Sequence, residues 1–472
     1  MSAESNPGPE VLMQNLADEE RPGALTLLKA MVSLLASYGL LMAGTGLFNT
    51  FIGLRAGLEG FSSDVIGFLV AAYYLGLVLG TLRCGLLVNR IGHIRAFAAF
   101  SSVIATATLV FPFVTNPYAW LVLRAIIGFN VAGVFMVAES WLNHRATPST
   151  RGTLLSMYMM TSYLCLGGGQ LLMNAGELGG NELFMLASML FGLAVVPVAL
   201  TRATHPPPVE RPAFDIRTVY RTSPTSMVAC ACSGLSVGAL WGLAPIFARN
   251  LGLSVADIAE FMSVIILSAL LFQFPVGRLS DRFDRRKMML AVSLVALLAS
   301  IAMVVQMTFF AADSPWNLAT TTTWLRHSWW IVGVAALYGG VSSTLYPLGV
   351  AYANDYAEPS DAVAVSAGLV LSFGVGAAIG PIPAGALMQV LGPEGLFVHT
   401  GMVALNLSAF IAYRMTRRSW ASVADKEAFV ALPEATSTPM PLEADPRLPV
   451  EQSPSRLPRW MWILNPRRPG RL

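Results

Sequence analysis

Two stretches of this chain repeat one pattern of residues that could do chemistry. The first is Gly85-Leu86-Leu87-Val88-Asn89-Arg90-Ile91-Gly92-His93-Ile94-Arg95. The second, starting 192 residues later, is Gly277-Arg278-Leu279-Ser280-Asp281-Arg282-Phe283-Asp284-Arg285-Arg286-Lys287. Each follows an apolar run, opens on glycine, and sets a cluster of cations behind an acid or amide. Such a set suits an ionic latch rather than bond-making. The glycine lets a neighbouring helix come close, the acid beyond a helix end faces another helix's positive N-terminus, and the cations pair with nearby carboxylates. The first copy holds Asn89 where the second holds Asp281, so its latch is expected to be weaker. The second copy has Asp284 where the first has Gly92.

Few other residues could react. Gly234-Leu235-Ser236-Val237-Gly238 matches the nucleophile pattern G-x-S-x-G. It lies inside an apolar run, with no strand before it and no His or Asp partners at hand. No Gly-Lys dipeptide occurs, so a phosphate loop is absent. The five histidines (93, 144, 205, 327, 399) are scattered, and the four cysteines (84, 165, 230, 232) form no CxxC pair. No metal, cofactor or disulfide framework is expected, and the chain is not read as an enzyme.

The elements that must position these residues follow from composition. The chain has 472 residues, a formal charge of +3, 55% hydrophobic and only 12% charged residues, about half the charged share of a soluble globular protein. It could not cover its own surface in water. Disordered and nucleic-acid-binding proteins are excluded on the same ground. A bilayer core about 30 Å thick needs roughly 20 apolar residues per helix. Such runs are expected near 25–54, 64–87, 95–113, 117–142, 152–174 and 183–202, and again near 225–249, 257–279, 287–310, 328–353, 362–389 and 394–416.

The expected architecture is all-α, with twelve transmembrane helices in two pseudo-symmetric six-helix bundles. Residues 25–202 form the first bundle and 225–416 the second, with a linker at 203–224 and tails at 1–24 and 417–472. With the N-terminus cytoplasmic, the inner connections hold Arg90, Arg95, Arg145, Arg151, Arg211, Arg217, Arg221, Arg282, Arg285, Arg286, Lys287, Arg417 and Arg418, against Arg55, Arg249 and Arg326 outside. The positive-inside rule therefore puts both termini in the cytoplasm. The Pro-rich tail is expected to be disordered, and its end, Arg459-Trp460-Met461-Trp462 with Arg467 and Arg468, either lies at an anionic lipid surface or has no role.

The two repeats resemble the G-x-L-a-D-R-x-G-R-K loop of the major facilitator superfamily. Glu139 in Val137-Ala138-Glu139-Ser140-Trp141, with Arg151-Gly152 opening the fifth span, resembles that superfamily's inner gate; Asp355 holds the matching end of span ten, while Asp361 stands where the second arginine would be. Arg124-Ala125-Ile126-Ile127-Gly128 resembles its span-four motif linked to proton coupling. Val137-Ala138-Glu139-Ser140, Gly169-Gln170-Leu171-Leu172, Leu240-Trp241-Gly242-Leu243-Ala244-Pro245 and Thr344-Leu345-Tyr346-Pro347 look like the superfamily's YcaD-type transporters. The resemblance covers roughly 30–415 and implies a bacterial inner-membrane secondary carrier.

Asn89, Arg90, Glu139, Arg151, Asp281, Arg282, Arg285, Arg286 and Asp355 are thus expected at a cytoplasmic gate, and Arg124 and Glu139 in coupling. Two alternatives stay open: Glu139 as a proton or substrate site, and Arg124 as an arginine snorkelling outward. Carriers of this kind bind substrate at the midplane between the halves. Candidates there are Asn49, Tyr73, Tyr158, Tyr163, Gln170, Trp241, Gln273, Tyr338 and Tyr346. No carboxylate stands in the middle of spans one, seven or eight, so the expected solute is small and neutral or weakly charged. The function expected is proton-coupled alternating-access transport by a monomer. The alternatives are an uncoupled carrier, a drug or metabolite efflux antiporter and, remotely, a membrane hydrolase.

Overall fold

The computed structural model describes residues 24–145, 150–200, 216–310, 329–357 and 362–417, and the regular structure among them is helical. The first half runs through α1 (Ala24–Leu58), α2 (Ser63–Ile91), α3 (His93–Val110), α4 (Pro117–Arg145), α5 (Arg151–Leu171) and α6 (Glu182–Leu193, resumed at Val195–Ala199). The second runs through α7 (Pro224–Asn250), α8 (Val255–Arg282), α9 (Arg285–Phe310), α10a (Trp329–Ser342), α10b (Leu345–Asn354), α11a (Ala362–Ile379), α11b (Pro381–Leu391) and α12 (Gly395–Met415). A short helix, Ile216–Thr222, precedes α7.

Eleven of the described spans are long and apolar enough to cross a membrane. The expected fifth, α5, is not among them. Its segment carries Ser156, Tyr158, Thr161, Ser162, Tyr163 and Gln170 beside three consecutive glycines, which lower its hydropathy although it packs against α1 and α8. Leu271, Phe274, Leu298 and Val390 stand exposed on the outside of the bundle, the side chains a hydrocarbon solvent accepts. The tail segment around Trp460, residue Asp361, and most of the linker lie outside the described residues.

Missing side chains let the helices of each half cross closely. At the α1–α5 crossing a Cβ on Gly46 would stand 2.2 Å from the Leu166 carbonyl oxygen, and one on Gly169 2.3 Å from that of Ala43. The α7–α11 crossing repeats this, with Gly238 against Ala377 and Gly380 against Leu235. The matching crossings are what two pseudo-symmetric halves require. Proline breaks the second-half helices: Pro381 follows the interruption at Gly380, and Pro347 follows the turn at Ser343-Thr344.

The repeated pattern makes the turns α2–α3 and α8–α9, but the two copies turn differently. Gly92 sits at φ +87°, a conformation that favours glycine, so a single residue separates α2 from α3. In the second copy Phe283 is extended, and the Asp284 carboxylate accepts from the Arg286 backbone N–H at 2.9 Å. Asp284 thus caps α9. That is the physical reason an acid replaces glycine there.

The halves meet along α2 with α11 and α5 with α8, with α1 against α7 between them. On the face carrying the α1–α2 and α7–α8 turns they touch backbone to backbone. Arg249 donates to the Leu54 carbonyl at 3.1 Å, the Ser63 N–H donates to Gln389 at 3.3 Å, and a Cβ on Gly67 would stand 2.4 Å from the Pro381 carbonyl. The opposite face carries the two repeats and their arginines, and is the cationic face of the bundle.

Candidate functional site

Arg124 lies 2% exposed in α4, placed by the α2–α4 crossing. Gly128, one turn further along, has no Cβ: one would sit 1.9 Å from the Tyr73 carbonyl, and one on Gly76 2.0 Å from that of Ala125. This close approach sets the Arg124 guanidinium 4.6 Å from the centre of the Tyr73 ring, with Phe48 on another side at 5.7 Å. Nη1 donates to the Asn49 side-chain oxygen at 2.9 Å, and Nε points at the Leu69 carbonyl at 3.5 Å. Among the described residues no carboxylate pairs with it. The arginine points into the bundle rather than snorkelling out, and Arg-x-x-x-Gly reads as one device: the glycine brings in the ring that the arginine covers.

Arg124 lines a cleft between the halves that holds about 400 Å³ of empty space when the solvent it opens onto is included. Asn49, Thr50, Tyr73, Tyr74 and Gln170 line it from the first half, Trp241 and Met262 from the second. Gln170 donates to the Gly46 carbonyl at 2.9 Å, which fixes its amide orientation. Its Oε1 and the Thr50 hydroxyl are buried without a hydrogen-bond partner. Such orphans cost about 1–3 kcal/mol each, and a ligand in the cleft would satisfy these two.

Four of the nine substrate candidates therefore come together: Asn49, Tyr73, Gln170 and Trp241. The other five make structural contacts elsewhere. Tyr158 stacks on Tyr38 at 4.5 Å and donates to Glu139 at 3.3 Å. Tyr163 accepts from Gln273 at 2.8 Å, a hydrogen bond from α8 to α5 across the halves. Tyr338 packs edge-on against Phe397, and Tyr346 packs at a tilt against Phe373. Thr50 and Tyr74 are lining residues the sequence reading passed over; each neighbours a chosen candidate, but only the crossing angles turn them inward.

At the cationic face Arg285 is 1% exposed and joins Asp355 at 2.7 Å, Asp281 at 3.4 Å and the Ala351 carbonyl at 2.5 Å. Arg286 pairs with Asp284 at 2.9 Å. Asn89, Arg90 and Arg282 are exposed. Glu139 is fully buried; the side chain of Arg151 lies outside the described ones. Superposing the two repeats by position matches His93 to Arg285. His93 is buried too and lies 2.9 Å from the hydroxyl of Ser140, next to Glu139. That correspondence is legible from register alone.

Ser236 of the G-x-S-x-G match stands in mid-helix on α7. Its flanking glycines serve packing: a Cβ on Gly234 would meet the Phe373 carbonyl at 2.1 Å.

The family described as Major Facilitator Superfamily matches residues 34–231 and 226–464. The chain is 29% identical over 384 residues to the uncharacterized MFS-type transporter YcaD of Escherichia coli O17:K52:H18 (strain UMN026 / ExPEC), covering 80% of this chain and 94% of that one. YcaD of Shigella flexneri serotype 5b (strain 8401) matches equally. Among solved structures the fold resembles the nucleoside transporter NupG (TM-score 0.67, 12% identity, 82% of this chain and 99% of that one). It also resembles a bacterial homologue of the human lysosomal transporter Spinster, inward-facing and occupied (TM-score 0.65, 16% identity, 84% and 98%).

Proposed function

This chain belongs to the major facilitator superfamily of membrane transporters, and from that premise we propose that it is a secondary carrier moving a small solute across the inner membrane by alternating access. The observation that carries the reading is the cavity bounded by Arg124, Gln170 and Trp241, lined from both halves. A solute held there bridges two bodies, so its binding energy biases their relative position.

The form described fits an inward-facing state. The halves meet backbone to backbone on the α1–α2 face, while Asn89, Arg90 and Arg282 are exposed on the cationic face, which the positive-inside rule assigns to the cytoplasm together with both termini. In this scheme the Arg285–Asp355 pair, Asp281, Asn89, Arg90, Arg282, Arg286, Arg151 and Glu139 belong to the cytoplasmic gate. Glu139, fully buried, and Arg124 are the groups assigned to proton coupling. The carrier works as a monomer.

Counterflow in proteoliposomes tests this. Solute loaded on the far side accelerates entry of labelled solute through a carrier, leaves a channel's flux unchanged, and emerges chemically altered from an enzyme. Absence of acceleration refutes the carrier. A cross-link between Ser63→Cys and Gln389→Cys, in a background without the native cysteines, is expected to stop exchange reversibly.

A further inference from the structure

We propose that the central cavity selects a small organic anion that also carries a hydrogen-bond donor, a hydroxy acid being the simplest member of the class. The inference rests on the carrier reading and adds the chemistry of its cargo.

Three features of the cavity carry it. First, Arg124 is a buried cation whose neighbours neutralise none of its charge: an amide oxygen, a backbone carbonyl and two ring faces. A charge so placed is expensive and marks a ligand counter-ion. Its Nη2 has no acceptor among the described residues, so part of the guanidinium fork remains for a carboxylate. Secondly, the partnerless Gln170 Oε1 accepts hydrogen bonds and gives none. A bare carboxylate cannot satisfy it, but a hydroxyl or N–H on the same solute does. The Thr50 hydroxyl, also partnerless, donates or accepts as needed. Thirdly, Tyr73, Trp241, Met262 and Ile266 give the rest of the wall an apolar, partly aromatic surface. A monoanion with a compact apolar body meets all three demands.

The test uses purified full-length protein in detergent and matched probes: mandelate, phenylacetate lacking the hydroxyl, and the neutral 1-phenyl-1,2-ethanediol, with lactate and 1,2-propanediol as a smaller acid–alcohol pair. A ligand that binds only the folded protein raises its melting temperature. At least one hydroxy acid is expected to stabilise at a concentration about tenfold below its alcohol, and phenylacetate to be weaker than mandelate. Asn49→Asp places a carboxylate where the present oxygen lies 2.9 Å from Arg124. It is expected to weaken the acids at least tenfold while leaving the unliganded melting temperature unchanged or higher. Gln170→Leu is expected to erase the difference between mandelate and phenylacetate while keeping the preference for acids.

Alcohols binding as well as acids, no acid surpassing its alcohol, or undiminished acid binding by Asn49→Asp each overturn the assignment. None of these touches the carrier reading, which stands or falls on counterflow, run with whichever probe binds.

Discussion

Arg285 and Asp355 lie 70 residues apart in sequence and 2.7 Å apart in space, with side chains 0% and 3% exposed. The same arginine reaches Asp281 at 3.4 Å, but that carboxylate is 41% exposed. The two acids are therefore unequal partners. Removing one member of a buried pair costs about 3–5 kcal/mol, whereas a solvated i,i+4 pair is worth at most about 1 kcal/mol. Asp355→Asn is expected to cost about 3 kcal/mol, because the Ala351 carbonyl and Asp281 retain part of the arginine's contacts. Asp281→Asn is expected to cost about 1 kcal/mol or less. Equilibrium unfolding in detergent measures both, and equal losses would contradict the ranking.

Gly128 sits where α2 and α4 touch. A methyl there meets the Tyr73 carbonyl at 1.9 Å, a backbone atom that moves only with its helix. Gly128→Ala is expected to destabilise the protein by about 1–3 kcal/mol, the usual cost of overpacking, and to weaken solute binding as Tyr73 leaves Arg124. Gly152→Ala, with open space around the added methyl, is the matched control. Equal melting temperatures for the two variants would sink the argument.

At the opposite mouth, Gly67→Ala pushes a methyl toward the Pro381 carbonyl. The clash exists only while this face is closed, so the substitution acts on the conformational equilibrium. A penalty of about 1–3 kcal/mol shifts the two populations by about 5- to 150-fold. Labelling of a cysteine at Val70, beside the cavity, by an impermeant reagent added outside should speed up in the Gly67→Ala background. An unchanged rate would rule out an outward-opening movement there.

Glu139 accepts from Tyr158, whose ring stacks on Tyr38. A carboxylate buried this way is a proton site in the proposed scheme. Glu139→Gln is expected to abolish accumulation driven by a pH gradient while sparing counterflow, which moves no net protons. Retained pH-driven accumulation would remove Glu139 from coupling and leave it a gate residue. Loss of both activities would mark it as structural.

The spans were legible because hydrocarbon permits one spanning solution to an isolated segment: about 20 apolar residues with every backbone hydrogen bond internal. Helix ends fall within a few residues of the expected ones, from Ala24–Leu58 to Gly395–Met415. The break at Thr344 was missed although Pro347 marks it, because a hydropathy run does not register a kink. The candidate site was half legible. Asn49, Tyr73, Gln170 and Trp241 could be chosen as polar or aromatic residues in mid-span, but so could Tyr158 and Tyr338, which are spent on packing.

Sequence by itself determined that this is a many-helix membrane protein, where its helices lie and that its halves repeat, since these depend on local hydropathy and on register. Tertiary structure alone decided that Arg124 meets Asn49 rather than an acid, that Arg285 chooses Asp355, and that Gln170 keeps an oxygen unsatisfied. Each is set by the angle and depth at which two helices cross. Those depend on glycines and neighbours far away in the chain, and no local pattern encodes them.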